Sequence, residues 1–198
     1  MAEIKLFGRW DWNVEVKDPG LKRYINLRPC VIPRTYGRYS QTRFGKANMN
    51  IVERLITKMM VPGHKGKKHL VSSARCVGQT EKIIKIIKEA FEIIEQRTKK
   101  NPIEVLVRAI ENAAPLEEPI SYQVGGIIAR TAVIVSPQRR VDIALRNIVN
   151  SCYRRKVGFT DMATLLAEEI IAAANNDISK SYALKEKERI EKEAEGAK

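Results

Sequence analysis

Residues 101–156 constrain the fold more than any other stretch. They read as helix, β-hairpin, helix, with a start or stop signal at each boundary. Asn101-Pro102 followed by Glu104 supplies an N-cap, a proline at the first helical position and a carboxylate in the first turn. Ser136-Pro137 repeats the cap-and-proline device before the second helix. Between the helices, two strand-like runs at about 116–123 and 128–135 flank Gly125-Gly126. A glycine pair between such runs is a hairpin signal, because tight hairpin turns need positive φ angles. At about 3.3 Å per residue each strand is roughly 23 Å long, enough to project from a helical body. An isolated two-stranded ribbon is marginal in water, so it must pack on helices or be stabilised by a partner.

Apolar periodicity predicts further helices on both sides of this unit. From Asn50 to Met60, Ile51, Val52, Leu55, Ile56, Met59 and Met60 form one stripe, with Asn50 and Glu53 as cap and first-turn carboxylate. Arg54 and Lys58 fall on the far face. Residues 80–98 carry the widest apolar face, which predicts the central core helix. From Pro137 to about Lys156, Val141, Ala144, Leu145, Ile148 and Cys152 make a buried stripe. Arg139, Arg146, Asn150 and Arg154 fall on the opposite side, with Arg140 and Asn147 beside them and Asp142 as the only acid. Arg155 and Lys156 extend the basic end of this helix. Thr160 is expected to cap a Leu- and Ala-rich helix to about Ala174, and a mixed-charge helix follows from Ser181.

Charge is segregated along the chain. Residues 1–80 hold 16 Lys and Arg against 5 Asp and Glu, and residues 119–160 hold 7 against 1. The segments between and after them are near neutral or acidic, and the whole carries +13. A merely soluble surface mixes signs more evenly, so two basic blocks mark a face for a large anionic partner. The first block contains PRTYGRYSQTRFGK, where Arg34, Arg38, Arg43 and Lys46 interleave with three aromatics and no acid. Arginine pairs with phosphate in a bidentate fork, and aromatics stack on exposed bases. The competing reading is a basic loop whose aromatics pack into the protein's own core.

The stretch VPGHKGKKHLVSSARC resembles a phosphate loop only superficially. Two residues, not four, separate Gly63 from Gly66, and Lys68 rather than Ser or Thr follows Lys67. A glycine-hinged basic loop, with Lys65, Gly66, Lys67, Lys68 and Arg75 against a nucleic-acid backbone, is the better use. His64 and His69 lack metal-ligand spacing. Cys30, Cys76 and Cys152 are odd in number and far apart, which speaks against both zinc and a disulfide framework. With no nucleophile-and-base pair, metal cluster or nucleotide loop, the chain reads as a non-enzyme needing no cofactor. No run approaches an uncharged membrane span and the N-terminus lacks an apolar signal core, so a cytoplasmic location is expected.

The blocks NPIEVLVRAIENAAP, the hairpin with VGG, and VSPQRRVDIALRNIV, preceded by IVERLITKMM and GKK, resemble the small-subunit ribosomal protein S-seven family over residues 50–194. The segment KLFGRW to GRYSQTRFGKANMNIVERL resembles the N-terminal extension of its archaeal and eukaryotic branch, and GRWDW with the acidic tail resembles the archaeal form. The resemblance implies a helical body with a protruding hairpin that binds the 3′ major domain of small-subunit ribosomal RNA and initiates assembly of the head. It implies neighbouring head proteins as partners, and a hairpin reaching toward the exit-site tRNA and the mRNA path. It carries RNA-contact roles onto Gly66, Lys67 and Lys68, onto Gly125, Gly126 and Arg130, and onto Arg139, Arg140 and Arg146. The longer insert at 69–78 departs from the family pattern, and the hairpin is poorer in cations than the bacterial one.

The expected architecture is mainly α: a bundle of about six helices over residues 48–194, with the hairpin arm at about 116–135. An extended basic segment, residues 1–47, precedes it and a short tail, 195–198, follows. The expected function is structural RNA binding in the ribosome, with cations of both basic blocks clamping phosphate. An architectural DNA-binding protein using a β-arm is the alternative. Such arms carry several cations and an apolar wedge at the tip, whereas this one offers Arg130 and a glycine pair.

Overall fold

The computed structural model describes residues 4–61, 78–155 and 161–198. Its elements, in order, are α1 (Pro19–Lys22), a 3-10 turn (Gly45–Asn48), α2 (Ile51–Met60), α3 (Thr80–Thr98), α4 (Pro102–Ala113), β1 (Glu117–Val124), β2 (Ile127–Ile134), α5 (Pro137–Arg155), α6 (Met162–Ala174) and α7 (Tyr182–Glu195). This is a mainly α bundle with a two-stranded antiparallel arm, as expected. Local chemistry sets the helix starts: Asn50, Asn101 and Ser181 each accept a backbone N–H at the N-cap, and Pro102 opens α4. Thr160, expected to cap α6, lies outside the described residues; the cap position is Asp161, whose side chain makes no capping bond.

The central helix is α6, not α3. Helix α6 packs against α3, α4, α5 and α7, whereas α3 packs against α2, α4 and α6. Its alanines, Ala163, Ala167, Ala172 and Ala173, are buried, and small side chains let four neighbours approach one helix. The wide isoleucine face of α3 is used only in part: Ile83, Ile87 and Ile94 are buried, while Ile84, Ile86 and Ile93 are partly covered. A fully buried carboxylate, Glu169, fastens the bundle. It accepts from Ser151 Oγ on α5 at 2.7 Å, Ser181 Oγ at 2.8 Å and the Ala183 N–H of α7 at 2.9 Å, and it pairs with Arg155 at 3.2 Å.

The N-terminal segment is divided. Leu6, Trp10, Trp12, Val16, Leu21 and Ile25 belong to the core. Trp10 packs edge-on against Phe91 of α3 at 5.5 Å, and its indole N–H donates to Glu95. Glu111 of α4 accepts the N–H groups of Lys17 and Asp18, holding the chain along that helix. Residues 31–44 leave the core and stay largely exposed.

The hairpin pairs Glu117 with Ile134 through Val124 with Ile127, leaving Gly125-Gly126 as a two-residue turn. Both glycines have positive φ, +55° and +89°, the requirement of the tight turn that matches strand twist. The strands are shifted by one residue from the sequence expectation, β1 beginning at Glu117 and β2 ending at Ile134. Among the described residues, the anchoring contacts are at the base. Helix α7 packs against both strands, Glu191 accepts the Leu116 N–H, and Lys198 pairs with Glu117 at 2.8 Å. Beyond it, Ile120, Tyr122 and Ile128 are exposed.

Replacing Glu169 with alanine strips four donors in three elements of their acceptor. Loss of one partner from a buried charged network costs about 3–5 kcal/mol. We expect Glu169→Ala to lower the stability of the whole chain by that order in a denaturant titration; a shift below about 0.5 kcal/mol, the level of a surface substitution, would show that the hub is dispensable.

Candidate nucleic-acid interface

The basic residues picked out in the sequence separate into distinct structural groups. The first forms where α2, α5 and the turn before α2 meet. Arg54, on α2, is fully buried. Its Nη1 donates to the Tyr24 carbonyl at 3.0 Å and its Nη2 to Asp142 of α5 at 3.1 Å. Lys46 donates to the other oxygen of Asp142 at 2.9 Å. Burial alone pushes the Asp142 carboxyl up, but the hydrogen bonds and charges of Lys46 and Arg54 outweigh it and hold it below the usual carboxylate range. Lys58, one turn beyond Arg54, is half-buried. Burial pushes its ammonium down, and the charges of Lys46, Arg146 and Arg54 push it further, against Asp142. Lys46, Lys58 and Arg146 thus gather around a carboxylate already committed to Arg54. The surplus is positive, and an incoming anion relieves it.

Arg54 is therefore not on an outer face, as its place opposite the apolar stripe implies. The N-terminal segment covers that side, so α2 is buried at Glu53 and Arg54 as well as along its apolar stripe. Arg140 is likewise buried: its Nε donates to the Pro115 carbonyl at 3.2 Å and its Nη2 to Asp18 at 2.9 Å. Asn147, expected beside the arginine face, is buried too. Arg54 and Arg140 join elements, and none of the three is presented to a partner.

The outer face of α5 does carry Arg139, Arg146 and Arg154 at the surface. The acids missing from that helix come from elsewhere. Arg139 makes a bidentate pair with Glu118 at the hairpin base, at 2.7 and 2.8 Å, and its side chain remains 53% exposed. Arg154 lies 4.9 Å from the Tyr182 ring centroid. Arg155 bonds to Glu169 and to the Lys180 carbonyl. A second exposed group is the loop before α2, with Arg34, Arg38 and Arg43 at the surface. A third is the arm, where Arg130 stands exposed opposite Ser121 and Gly125 and Gly126 form the tip. Lys65, Gly66, Lys67, Lys68, Arg75 and Lys156 lie outside the described residues.

The residue that sequence reasoning undervalued is Asp142. It looked like a lone acid on a basic helix, yet it organises cations from three elements. A single acid at a position shared by no other charge of its sign was the available signal, but its partners lie 88 and 96 residues away. Glu53 was equally hidden. Instead of completing a capping box it accepts from Thr35 N at 2.7 Å and Thr35 Oγ1 at 2.6 Å, tying the basic loop to α2.

The sequence profile of the family described as ribosomal protein S7p/S5e matches residues 21–198. The small ribosomal subunit protein uS7 of Nanoarchaeum equitans (strain Kin4-M) is 51% identical over 200 residues, an alignment covering 99% of this chain and 100% of that protein.

The Asp142 cluster has a pH signature. A carboxyl whose folded pKa is depressed contributes stability that is fully present above its unfolded value of about 4 and is lost as pH falls through the folded value. We expect Asp142→Asn to destabilise the chain at neutral pH, and the difference from the wild type to shrink as pH falls below about 4. Paired denaturant titrations from neutral pH downward measure this; a difference independent of pH would remove the charge interaction as its cause.

Proposed function

The chain belongs to the ribosomal protein S7p/S5e family, and from that premise we propose how its surface meets RNA. It is a structural protein of the small ribosomal subunit, working in the cytoplasm within the ribosome, with ribosomal RNA as its partner. We further assign to it the binding of the 3′ major domain, the initiation of head assembly and contact with neighbouring head proteins. The supporting observation is the convergence of Lys46, Lys58 and Arg146 from separate elements around the Asp142–Arg54 pair. Phosphate neutralises that surplus, and counterion release supplies the affinity. Shape supplies selectivity, because a rigid bundle meets only RNA folded to place its backbone along these cations. Arg34, Arg38, Arg43, Arg139 and Arg154 extend the contact to either side.

The arm has a different task in this reading. With Arg130 as its one cation and an exposed glycine turn, it reaches toward the exit-site tRNA and the mRNA path rather than anchoring.

Two experiments test the division. Lys58→Ala combined with Arg146→Ala should leave the fold intact and weaken binding to a 3′-major-domain RNA fragment. The slope of log affinity against log salt should fall by about 0.7–0.9 for each phosphate that the variant no longer neutralises. An unchanged slope would move the anchor elsewhere. Shortening the hairpin around Gly125-Gly126 should spare that binding and impair translation by reconstituted subunits; loss of rRNA affinity instead would make the arm an anchor.

A further inference from the structure

The loop before α2 contains two exposed aromatics that the fold does not need. Tyr36 is 81% exposed and Phe44 is 67% exposed. Both have left-handed backbone, with φ of 53° and 59°. Tyr36 and Gly37 are the central residues of a tight turn closed by Arg38 N donating to the Thr35 carbonyl at 3.1 Å, and both have positive φ. Phe44 occupies the N-cap position of the 3-10 turn and makes no side-chain cap bond. Glycine and asparagine fill such positions at least cost, and a bulky residue there is an outlier. Local folding therefore selects against the rings, and burial does not repay them.

Each ring carries an arginine instead. Arg34 Cζ lies 4.4 Å from the Tyr36 centroid and Arg43 Cζ lies 5.0 Å from that of Phe44. The loop is fastened at Thr35 to Glu53 and at Lys46 to Asp142, so the pairs stand on an anchored frame beside the cationic cluster. Flat, exposed rings backed by guanidinium groups and placed next to phosphate-binding lysines match the requirements of a stacking platform for unpaired bases.

We infer that Tyr36 and Phe44 each stack on an unpaired nucleobase of the bound RNA, with Arg34 and Arg43 holding the rings and meeting the adjoining phosphates. This rests on the RNA-binding reading above and deepens it: the loop takes single-stranded nucleotides, the Lys46–Lys58–Arg146 cluster takes backbone. An acidic protein segment is the competing occupant; it pairs with the arginines and is indifferent to base pairing.

The test uses the full chain and two RNA hairpins of equal phosphate count. One carries two bulged adenines, one of them replaced by 2-aminopurine, and the other is fully paired. Tyr36→Asn with Phe44→Asn removes the rings while favouring the left-handed backbone. The wild type should prefer the bulged hairpin and change its 2-aminopurine fluorescence. The double variant should unfold at the same or a higher temperature and hold the bulged hairpin about tenfold more weakly per ring, with the paired hairpin unaffected. The ring-preserving pair Tyr36→Phe with Phe44→Tyr should bind like the wild type. Bulged-hairpin affinity unchanged in the double variant, equal losses on both hairpins, or a marked drop in its thermal stability would overturn the stacking role while leaving RNA binding in place. Failure of the wild type to bind either hairpin while it still binds the 3′-major-domain fragment would overturn the stacking role; failure on that fragment as well would overturn the RNA reading itself.

Discussion

The buried guanidinium of Arg54 is the constraint on which the basic face depends. An arginine with no solvent contact is tolerated only where its hydrogen-bond donors and charge are answered inside the protein. Here the Tyr24 carbonyl and Asp142 answer the charge and the two terminal nitrogens, while Nε finds no partner among the described residues. One residue therefore ties the N-terminal segment, α2 and α5 into a single relative placement. A hydrophobic contact among the same elements would tolerate sliding; a pair of directed bonds from a rigid fork tolerates little. The pair also consumes the negative charge of Asp142. Lys46 takes its second oxygen, and Lys58 and Arg146 are left with no further acid of this cluster. Structure and function thus share one charge balance: the acid that closes the core leaves the surface positive.

Glu169 does the equivalent work at the other end of α5. It gathers donors from α5, the loop before α7 and α7 itself. Helix α7 in turn packs against the hairpin base, and Arg139 of α5 grips Glu118 there. The arm is consequently held at its root by α7 and by α5, the second of which also carries part of the basic face. Its turn follows from backbone geometry at two glycines, and its outer length is held by interstrand bonds.

Much of this was legible from residue order. Caps and prolines announce α4 and α5, the glycine pair announces the hairpin, and 3.6-residue periodicity announces α2 and α3. These are local effects, decided by neighbours within a few positions. What stayed hidden depends on distant partners. Arg54 and Arg140 carry the pattern of surface residues, and only the path of residues 18–26 across them makes them internal. The core role of Trp10 and Trp12 was hidden in the same way, since a chain without a period gives no sign of which groove it fills. The exchange of α3 for α6 at the centre has a steric cause. Apolar width marks α3, but close approach on several sides requires the small residues of α6.

The burial of Arg54 and Arg140 also sharpens the meaning of the charge excess. Net charge counts every cation alike, yet a guanidinium paired inside the protein attracts no partner. Those two belong to the fold, and Arg155 is largely spent on Glu169 and the Lys180 carbonyl. The remaining cations of the described face fall into a compact cluster flanked by an exposed loop, instead of a uniform coat. A compact cluster beside a shaped loop can require a particular RNA geometry, whereas a uniform coat binds any polyanion. The arm, nearly free of charge and anchored at its base, offers a phosphate backbone little to bind, so in the proposed reading its reach is separate from how tightly the body is held.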